Sequence, residues 1–144
     1  MATLERLGLL KTSLIDYPGE VAAVVFTPGC NLRCPYCHNP RLVSGLALDD
    51  FLPRERVLDV LTARAGVLTG VCFTGGEPLV HEGLPELIDA VRGLGLKVKL
   101  DTNGMFPRRL AALDLDFVAL DLKLAPRRYS ELGGPADGAE RISH

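Results

Sequence analysis

Residues 21–40 read VAAVVFTPGCNLRCPYCHNP, and the rest of the chain is organised around this stretch. Its first six residues, Val21–Phe26, form a near-continuous apolar run, which is typical of a strand buried on both faces in a parallel sheet. Three cysteines follow in C-x3-C-x2-C spacing, at Cys30, Cys34 and Cys37. The pattern predicts a buried strand that delivers a cysteine loop at its C-terminal end.

The three clustered cysteines predict a metal centre, because thiolate sulfur is a soft ligand that selects iron–sulfur clusters, zinc or copper(I). A 4Fe–4S cluster normally takes four protein thiolates, so three would leave one iron open for chemistry. A structural zinc loop is the alternative interpretation. A disulfide framework is disfavoured, since three cysteines cannot all pair, and the fourth, Cys72, lies in an apolar run that predicts a packed core thiol.

Length and composition are ordinary for a globular protein. The chain has 144 residues, of which 47% are hydrophobic and 24% charged, and these values predict a single domain with a substantial core. The net charge of −2 gives no general attraction to nucleic acid or to an anionic membrane. No apolar run is long enough to span a bilayer, and the cysteine usage favours a reducing cytoplasm.

Strand and helix patterns alternate along the chain. Three further strands are predicted at Val67–Thr74, Lys97–Leu100 and Phe117–Leu122, with helices beginning near Pro53, Leu84 and Pro107. Residues 7–15 are apolar with interruptions and are assigned no element, and Asp16–Gly19 predicts a turn. The alternation indicates an α/β fold with a parallel sheet and right-handed crossovers.

Each predicted strand ends in an unusual motif. The cysteine loop follows the first strand, Gly75–Pro78 the second and Asp101–Gly104 the third, while Asp121 and Lys123 stand at the end of the fourth. Because the carboxyl ends of parallel strands meet at one edge of a sheet, these motifs are expected to form a single active site.

The cysteine motif, with the aromatic Tyr36 before its last cysteine, and the Gly-Gly-Glu-Pro segment at 75–78 together resemble the signature of the radical S-adenosylmethionine (SAM) superfamily. Four other segments resemble the glycyl-radical-enzyme activating proteins, namely Thr12–Gly19, Cys37–Asn39, Asp101–Gly104 and Asp121–Lys123. Within that group the chain is most similar to the anaerobic ribonucleoside-triphosphate reductase activating protein, with pyruvate formate-lyase activating enzyme a more distant cousin. The resemblance implies a parallel (βα)n partial TIM-type barrel. Only four βα units are predicted in residues 1–144, so we expect one radical SAM domain that is incomplete at its C-terminal end.

The resemblance also implies cofactors and partners. The cofactors are a 4Fe–4S cluster on Cys30, Cys34 and Cys37, SAM on the open iron, and a monovalent cation in some relatives. The implied reaction is reductive cleavage of SAM to methionine and a 5′-deoxyadenosyl radical, which takes a hydrogen atom from a backbone glycine of a partner. The implied partners are a glycyl-radical enzyme, such as anaerobic ribonucleotide reductase, and an electron donor such as flavodoxin or ferredoxin.

The resemblance assigns roles to the remaining site residues. Gly75 and Gly76 would bring backbone groups close to the methionine amino group, and Lys123 would offer a point charge to the SAM carboxylate. Tyr36 and His38 would flank the adenine. The other cofactor-binding candidates are Glu77, Asp101, Thr102, Asn103 and Asp121.

Other interpretations of particular residues stay open. Glu77 is expected to be buried and hydrogen-bonded, so that it orients its loop, and His81 and His144 are expected at the surface. The fourth predicted strand is expected to be an uncovered edge. Three other functions also remain: a radical SAM enzyme that acts on a small molecule or peptide, a metal-binding or electron-transfer module without SAM chemistry, and an inactive truncated fragment.

Overall fold

A computed structural model describes residues 4–34, 37, 40–41, 50–133 and 141. Within these residues, six strands form one sheet in the order β3-β1-β2-β4-β5-β6. The strands are β1 (Arg6–Ser13), β2 (Ala22–Thr27), β3 (Leu52–Pro53), β4 (Gly70–Gly75), β5 (Lys97–Thr102) and β6 (Phe117–Leu120). The helices are α1 (Arg54–Arg64), α2 (Leu84–Arg92) and α3 (Pro107–Ala111), with 3-10 segments at Pro78–Val80 and Pro126–Leu132.

The four predicted strands form the parallel part of the sheet. β2 pairs with β4, β4 with β5 and β5 with β6, and all three pairings are parallel. The register aligns Thr27 with Gly75 and Thr102 with Leu120, so the strands end at the same edge. The prediction of an α/β fold with a parallel sheet is confirmed for these four strands.

Two strands were not predicted. β1 pairs antiparallel with β2. Its exposed positions include the polar residues Arg6, Lys11 and Thr12, so the sequence shows no continuous apolar run that would have predicted a strand. β3 has two residues and pairs with Arg6 and Leu7 of β1. Pro53 was predicted as the first residue of a helix, but it belongs to this strand and caps α1, which begins at Arg54. A proline is tolerated there because an edge strand need not donate from every residue.

The two longer helices cover one face of the sheet. α1 buries Val57 and Leu61, and α2 buries Leu87, Ile88 and Val91. They pack in one core cluster with the alternate residues of β4 and β5, which are Val71, Phe73, Val98 and Leu100. Because side chains alternate along a strand, the other residues of β4 and β5 point to the opposite face. That face therefore carries Cys72, Lys99 and Asp101.

β6 is the last strand of the sheet in the part of the chain that is described. Its side chains Phe117, Val118 and Leu120 are 41%, 41% and 49% exposed, and Leu122 just beyond it is 59% exposed. The expected uncovered edge is therefore present among the described residues. None of the helices described is both long and apolar enough to cross a membrane.

Candidate active site

A cavity of about 270 Å³ lies at the C-terminal ends of the parallel strands. It is lined by the predicted site residues Cys30, Cys34, Cys37, Gly75, Gly76, Glu77, Asp101, Thr102, Asn103, Asp121 and Lys123, together with Leu32, Thr74 and Leu122. The structure thus brings together all the predicted site residues that it describes. Tyr36 and His38 lie outside the described residues, and their roles stay predictions.

The three loop cysteines are half-buried free thiols that line this cavity. The backbone N–H of Leu32 donates to Cys30 Sγ at 3.4 Å, and the backbone N–H of Cys37 donates to the Cys34 carbonyl at 3.1 Å. Burial raises the pKa of Cys30, although the Leu32 N–H partly offsets this shift. The loop thus offers an all-sulfur donor set to one cavity.

A second, small hydrophobic core packs against the cysteine loop. It consists of Leu32, Met105, Tyr129 and Leu132, and Cys30 and Cys34 pack against it. The backbone N–H of Arg33 donates to the Leu132 carbonyl at 2.6 Å and ties the loop to the 3-10 segment. The loop therefore packs against residues far along the chain.

The donor set fits an iron–sulfur cluster. Three free thiols line one cavity, and thiolate sulfur is the ligand by which proteins hold such clusters. Cys30, Cys34 and Cys37 would hold it.

Glu77 connects the loop after β4 to the loop after β5. Its carboxylate is 1% exposed and accepts hydrogen bonds from Thr102 Oγ1 at 2.7 Å, from the Asn103 N–H at 2.8 Å and from the Leu79 N–H at 3.1 Å. Burial raises the pKa of Glu77, and these hydrogen bonds partly offset the increase. Its own backbone N–H donates to the Gly29 carbonyl at 2.8 Å. Glu77 is buried and hydrogen-bonded as expected, and it orients two loops at once.

Gly75 and Gly76 are required by a close approach of two backbone segments. Gly75 has a φ of +117°, and a Cβ there would lie 2.5 Å from the backbone N and O of Thr27. A Cβ on Gly76 would lie 1.8 Å from the Gly29 carbonyl oxygen. The sequence interpretation gave these glycines a role in approaching a ligand. The structure adds a second reason, which is contact with the turn that leads into Cys30.

Lys99 is a site residue that sequence analysis missed. It is 8% exposed, and its Nζ lies 2.7 Å from Asp101 Oδ1 and donates to the Asp16 carbonyl at 2.6 Å. Cys72 Sγ donates to Asp101 Oδ2 at 3.6 Å, and burial and the nearby Asp101 carboxylate raise the pKa of Cys72 to about 12. A monovalent cation at Asp101 would have to compete with the Lys99 ammonium. The sequence did carry a signal for this ion pair, because Lys99 and Asp101 are two residues apart and such residues lie on the same face of a strand.

Asp121 and Lys123 form an ion pair at the open side of the cavity. The Asp121 backbone N–H donates to the Thr102 carbonyl at 2.9 Å, which extends the contact between β5 and β6. The Lys123 backbone N–H donates to the Tyr129 hydroxyl at 2.9 Å. Both residues are therefore held at the cavity through their backbones.

The prediction that His81 lies at the surface is wrong. Its side chain is 2% exposed, and its Nε2 lies 2.6 Å from the Pro28 carbonyl oxygen. The 3-10 segment Pro78–Val80 turns the chain so that His81 contacts the residues just before the cysteine loop. This contact depends on a residue 53 positions away, which local sequence pattern cannot show. His144 lies outside the described residues.

A sequence profile of the radical SAM superfamily matches residues 24–143. A protein of Methanocaldococcus jannaschii, named provisionally as a glycyl-radical enzyme activating enzyme, is 33% identical over 146 aligned positions that cover 95% of this chain and 58% of that protein. The 7-carboxy-7-deazaguanine synthase of Methanopyrus kandleri is 38% identical, with 75% of this chain and 51% of that protein covered. The GTP 3′,8-cyclase of Streptomyces coelicolor is also 38% identical, with 76% and 35% covered. The chain thus spans between about a third and three-fifths of the length of these relatives.

Two solved structures have a similar fold. QueE from Escherichia coli superposes with a TM-score of 0.57 at 21% identity and covers 95% of this chain and 65% of QueE. A structure of TYW1 with a lysine–pyruvate adduct superposes with a TM-score of 0.55 at 18% identity, covering 84% of this chain and 49% of TYW1. At these identities the likeness shows the fold alone.

Proposed function

The chain belongs to the radical SAM superfamily, and from that premise we propose that it generates a glycyl radical on an anaerobic partner enzyme such as anaerobic ribonucleotide reductase. The superfamily implies a 4Fe–4S cluster and SAM. When these are bound, they supply reductive cleavage of SAM to methionine and a 5′-deoxyadenosyl radical, while the protein supplies binding and orientation.

The residues around the cavity support binding of the methionine part of SAM. Cys30, Cys34 and Cys37 would hold three irons of the cluster and leave one open. The Lys123 ammonium pairs with Asp121 in this structure and would offer its positive charge to a carboxylate bound in the cavity. Asp101, Thr102 and Asp121 line the same corner, and Glu77 fixes the position of this corner relative to Cys30 through its bonds to Thr102 and Gly29.

The N-terminal segment is the observation that carries the activating-enzyme proposal. The alignment with the M. jannaschii relative covers 95% of this chain, and Thr12–Gly19 is one of the four segments that resemble the activating proteins. In the fold, the Asp16 carbonyl accepts a hydrogen bond from Lys99 Nζ, and the Tyr17 ring lies 6.0 Å from the Phe117 ring. This segment therefore packs against the sheet face without the two long helices, which is the face that carries Asp101.

The exposed edge of the sheet also suits a protein substrate. Leu122 lines the cavity and is 59% exposed, and Val118 and Leu120, which share one face of β6, are 41% and 49% exposed. A peptide segment that presents a glycine can bury apolar side chains there at about 25 cal/mol per Å² of apolar surface. We further propose that flavodoxin or ferredoxin supplies the electron and that the protein works in the cytoplasm, where thiols stay reduced.

The experiment is anaerobic reconstitution of the chain with iron and sulfide, followed by addition of reduced flavodoxin, SAM and anaerobic ribonucleotide reductase. Formation of 5′-deoxyadenosine and a glycyl-radical signal in electron paramagnetic resonance (EPR) spectra are measured together. Cys34→Ala should abolish both signals. Cys72→Ala, a matched change of a cysteine outside the loop, should keep both. Formation of 5′-deoxyadenosine with no glycyl radical would contradict the proposal.

The relatives named as 7-carboxy-7-deazaguanine synthase and GTP 3′,8-cyclase favour a second candidate, radical SAM chemistry on a small molecule. In that case GTP or a deazaguanine precursor, and not the reductase, should increase the formation of 5′-deoxyadenosine. A bound cluster that gives no 5′-deoxyadenosine with any of these substrates would instead indicate an electron-transfer module or an incomplete enzyme.

A further inference from the structure

The Asn103 side chain contacts the cysteine loop. It follows β5, its side chain is 4% exposed, and its backbone N–H donates to Glu77. Its Oδ1 accepts from the Met105 N–H at 3.1 Å, while its Nδ2 donates to Asn31 Oδ1 at 2.8 Å and lies 3.9 Å from Cys30 Sγ. The carboxamide thus links the end of β5 to the first cysteine of the loop.

The two N–H groups of this carboxamide have separate uses. An asparagine side chain carries two donor hydrogens, so one can bond to Asn31 while the other points to sulfur. The Leu32 backbone N–H is the second donor to Cys30 Sγ, at 3.4 Å. When Cys30 is a thiolate, its sulfur can only accept, and both N–H groups then face a negative charge.

We propose that Asn103 is a positioning residue that raises the reduction potential of the cluster through an N–H···S hydrogen bond to Cys30. This inference rests on the proposed function, because it requires the cluster. Hydrogen bonds to the sulfurs of an iron–sulfur cluster are one of the protein's means of setting its potential. The reduced cluster carries more negative charge than the oxidised one, so a donor stabilises the reduced form more and makes reduction easier.

The surroundings explain why this position suits an asparagine. An aspartate would keep the acceptor for Met105 but would place a carboxylate oxygen against Asn31 Oδ1 and the Cys30 sulfur. A serine would also keep an acceptor near the Met105 N–H, but its shorter side chain would leave the sulfur without the second donor. These two substitutions therefore preserve the local turn and remove the N–H that faces Cys30.

The test is an EPR-monitored redox titration of the reconstituted wild-type chain and of Asn103→Ser and Asn103→Asp, with dithionite as the reductant. For Asn103→Ser we expect the equilibrium constant for reduction to fall about tenfold, which for a one-electron couple is a decrease of about 59 mV in potential. Asn103→Asp should decrease the potential further, because it adds a negative charge. Asn31→Ser is the matched control, since the Asn31 side-chain oxygen is an acceptor, from Asn103 Nδ2 and from the Cys30 thiol, and not a donor to the sulfur. The shift in potential of this variant should be clearly smaller.

Each outcome decides the proposal. An unchanged or higher potential in Asn103→Ser would overturn it while leaving the proposed function intact. Loss of the cluster from both Asn103 variants, in chains that still unfold cooperatively, would also overturn it, because Asn103 would then be only a structural support. A wild-type chain that takes up no iron–sulfur cluster would remove the proposed function and this inference together.

Discussion

Replacement of Gly76 by alanine should separate the loop after β4 from the turn before Cys30. A Cβ at this position would lie 1.8 Å from the Gly29 carbonyl oxygen, whereas real Cβ atoms essentially never approach closer than 3.0 Å. The Gly29 backbone must therefore move by more than an ångström. That movement breaks the hydrogen bond from the Glu77 N–H to the Gly29 carbonyl, which is 2.8 Å long.

The expected loss follows from two contributions. A lost backbone hydrogen bond costs about 1 kcal/mol, and overpacking in a well-packed region typically costs about 1–3 kcal/mol. Gly76→Ala should therefore lower the free energy of unfolding by about 2–4 kcal/mol. Gly66→Ala is the matched control, because a Cβ there meets no atom within 4 Å. Since the alanine also restricts the unfolded chain, Gly66→Ala should stabilise by about 0.4–1 kcal/mol.

Urea unfolding of the reduced, metal-free chains, followed by far-ultraviolet circular dichroism, measures both changes on one scale. After reconstitution, Gly76→Ala should also hold less iron per chain than Gly66→Ala, because Cys30 follows the displaced residue. If the two variants unfold within about 0.5 kcal/mol of each other, the spread expected of neutral surface changes, then the close approach of Gly76 to Gly29 is refuted.

Three further predictions concern titratable groups. Burial raises the pKa of Glu77, so this carboxyl contributes its full stabilisation below its ordinary pKa of 4.5 and loses it as the pH rises through the pKa of the folded state. Urea unfolding from pH 4 to 9 should show this decrease in the free energy of unfolding for the wild type and not for Glu77→Gln. The pKa of Asp116 is lowered by hydrogen bonds from the Val98 N–H and from Arg92, so Asp116 stabilises the fold above its ordinary pKa of 3.8 and loses this effect as the pH falls. Asp116→Asn should therefore reduce the dependence of the free energy of unfolding on pH in the acid range. An unchanged dependence would contradict this assignment. Cys72 is buried and its pKa is raised to about 12, so it should be the last cysteine that iodoacetamide modifies in the native chain at pH 8. Mass spectrometry of the modified chain measures this order. Early modification of Cys72 would show that its strand is accessible to the reagent.

The parallel part of the fold could be predicted from the sequence because its signals are local. The apolar run before Thr27 and the glycines, prolines and polar residues after each strand mark where strands end. Parallel topology then brings those ends to one edge, which is why residues as far apart as Cys30 and Lys123 line one cavity.

The features that could not be predicted depend on distant contacts. β3 is two residues long and exists through its pairing with Arg6 and Leu7, so no window of sequence around Leu52 indicates a strand. His81 is buried by contact with Pro28, and the second small core joins Leu32 to Tyr129 and Leu132. Lys99 differs from these cases, because its ion pair with Asp101 joins residues two positions apart on one face of a strand, and the sequence carried that signal.

The central claim is that Cys30, Cys34 and Cys37 hold a 4Fe–4S cluster in the cavity at the strand ends. The most direct measurement is the metal and sulfide content of the chain reconstituted without oxygen, together with its EPR spectrum after reduction. We predict about four irons and four sulfides per wild-type chain, with loss of the cluster signal in Cys34→Ala and its retention in Cys72→Ala. One tightly bound zinc per chain, with no iron–sulfur cluster under these conditions, would contradict the account.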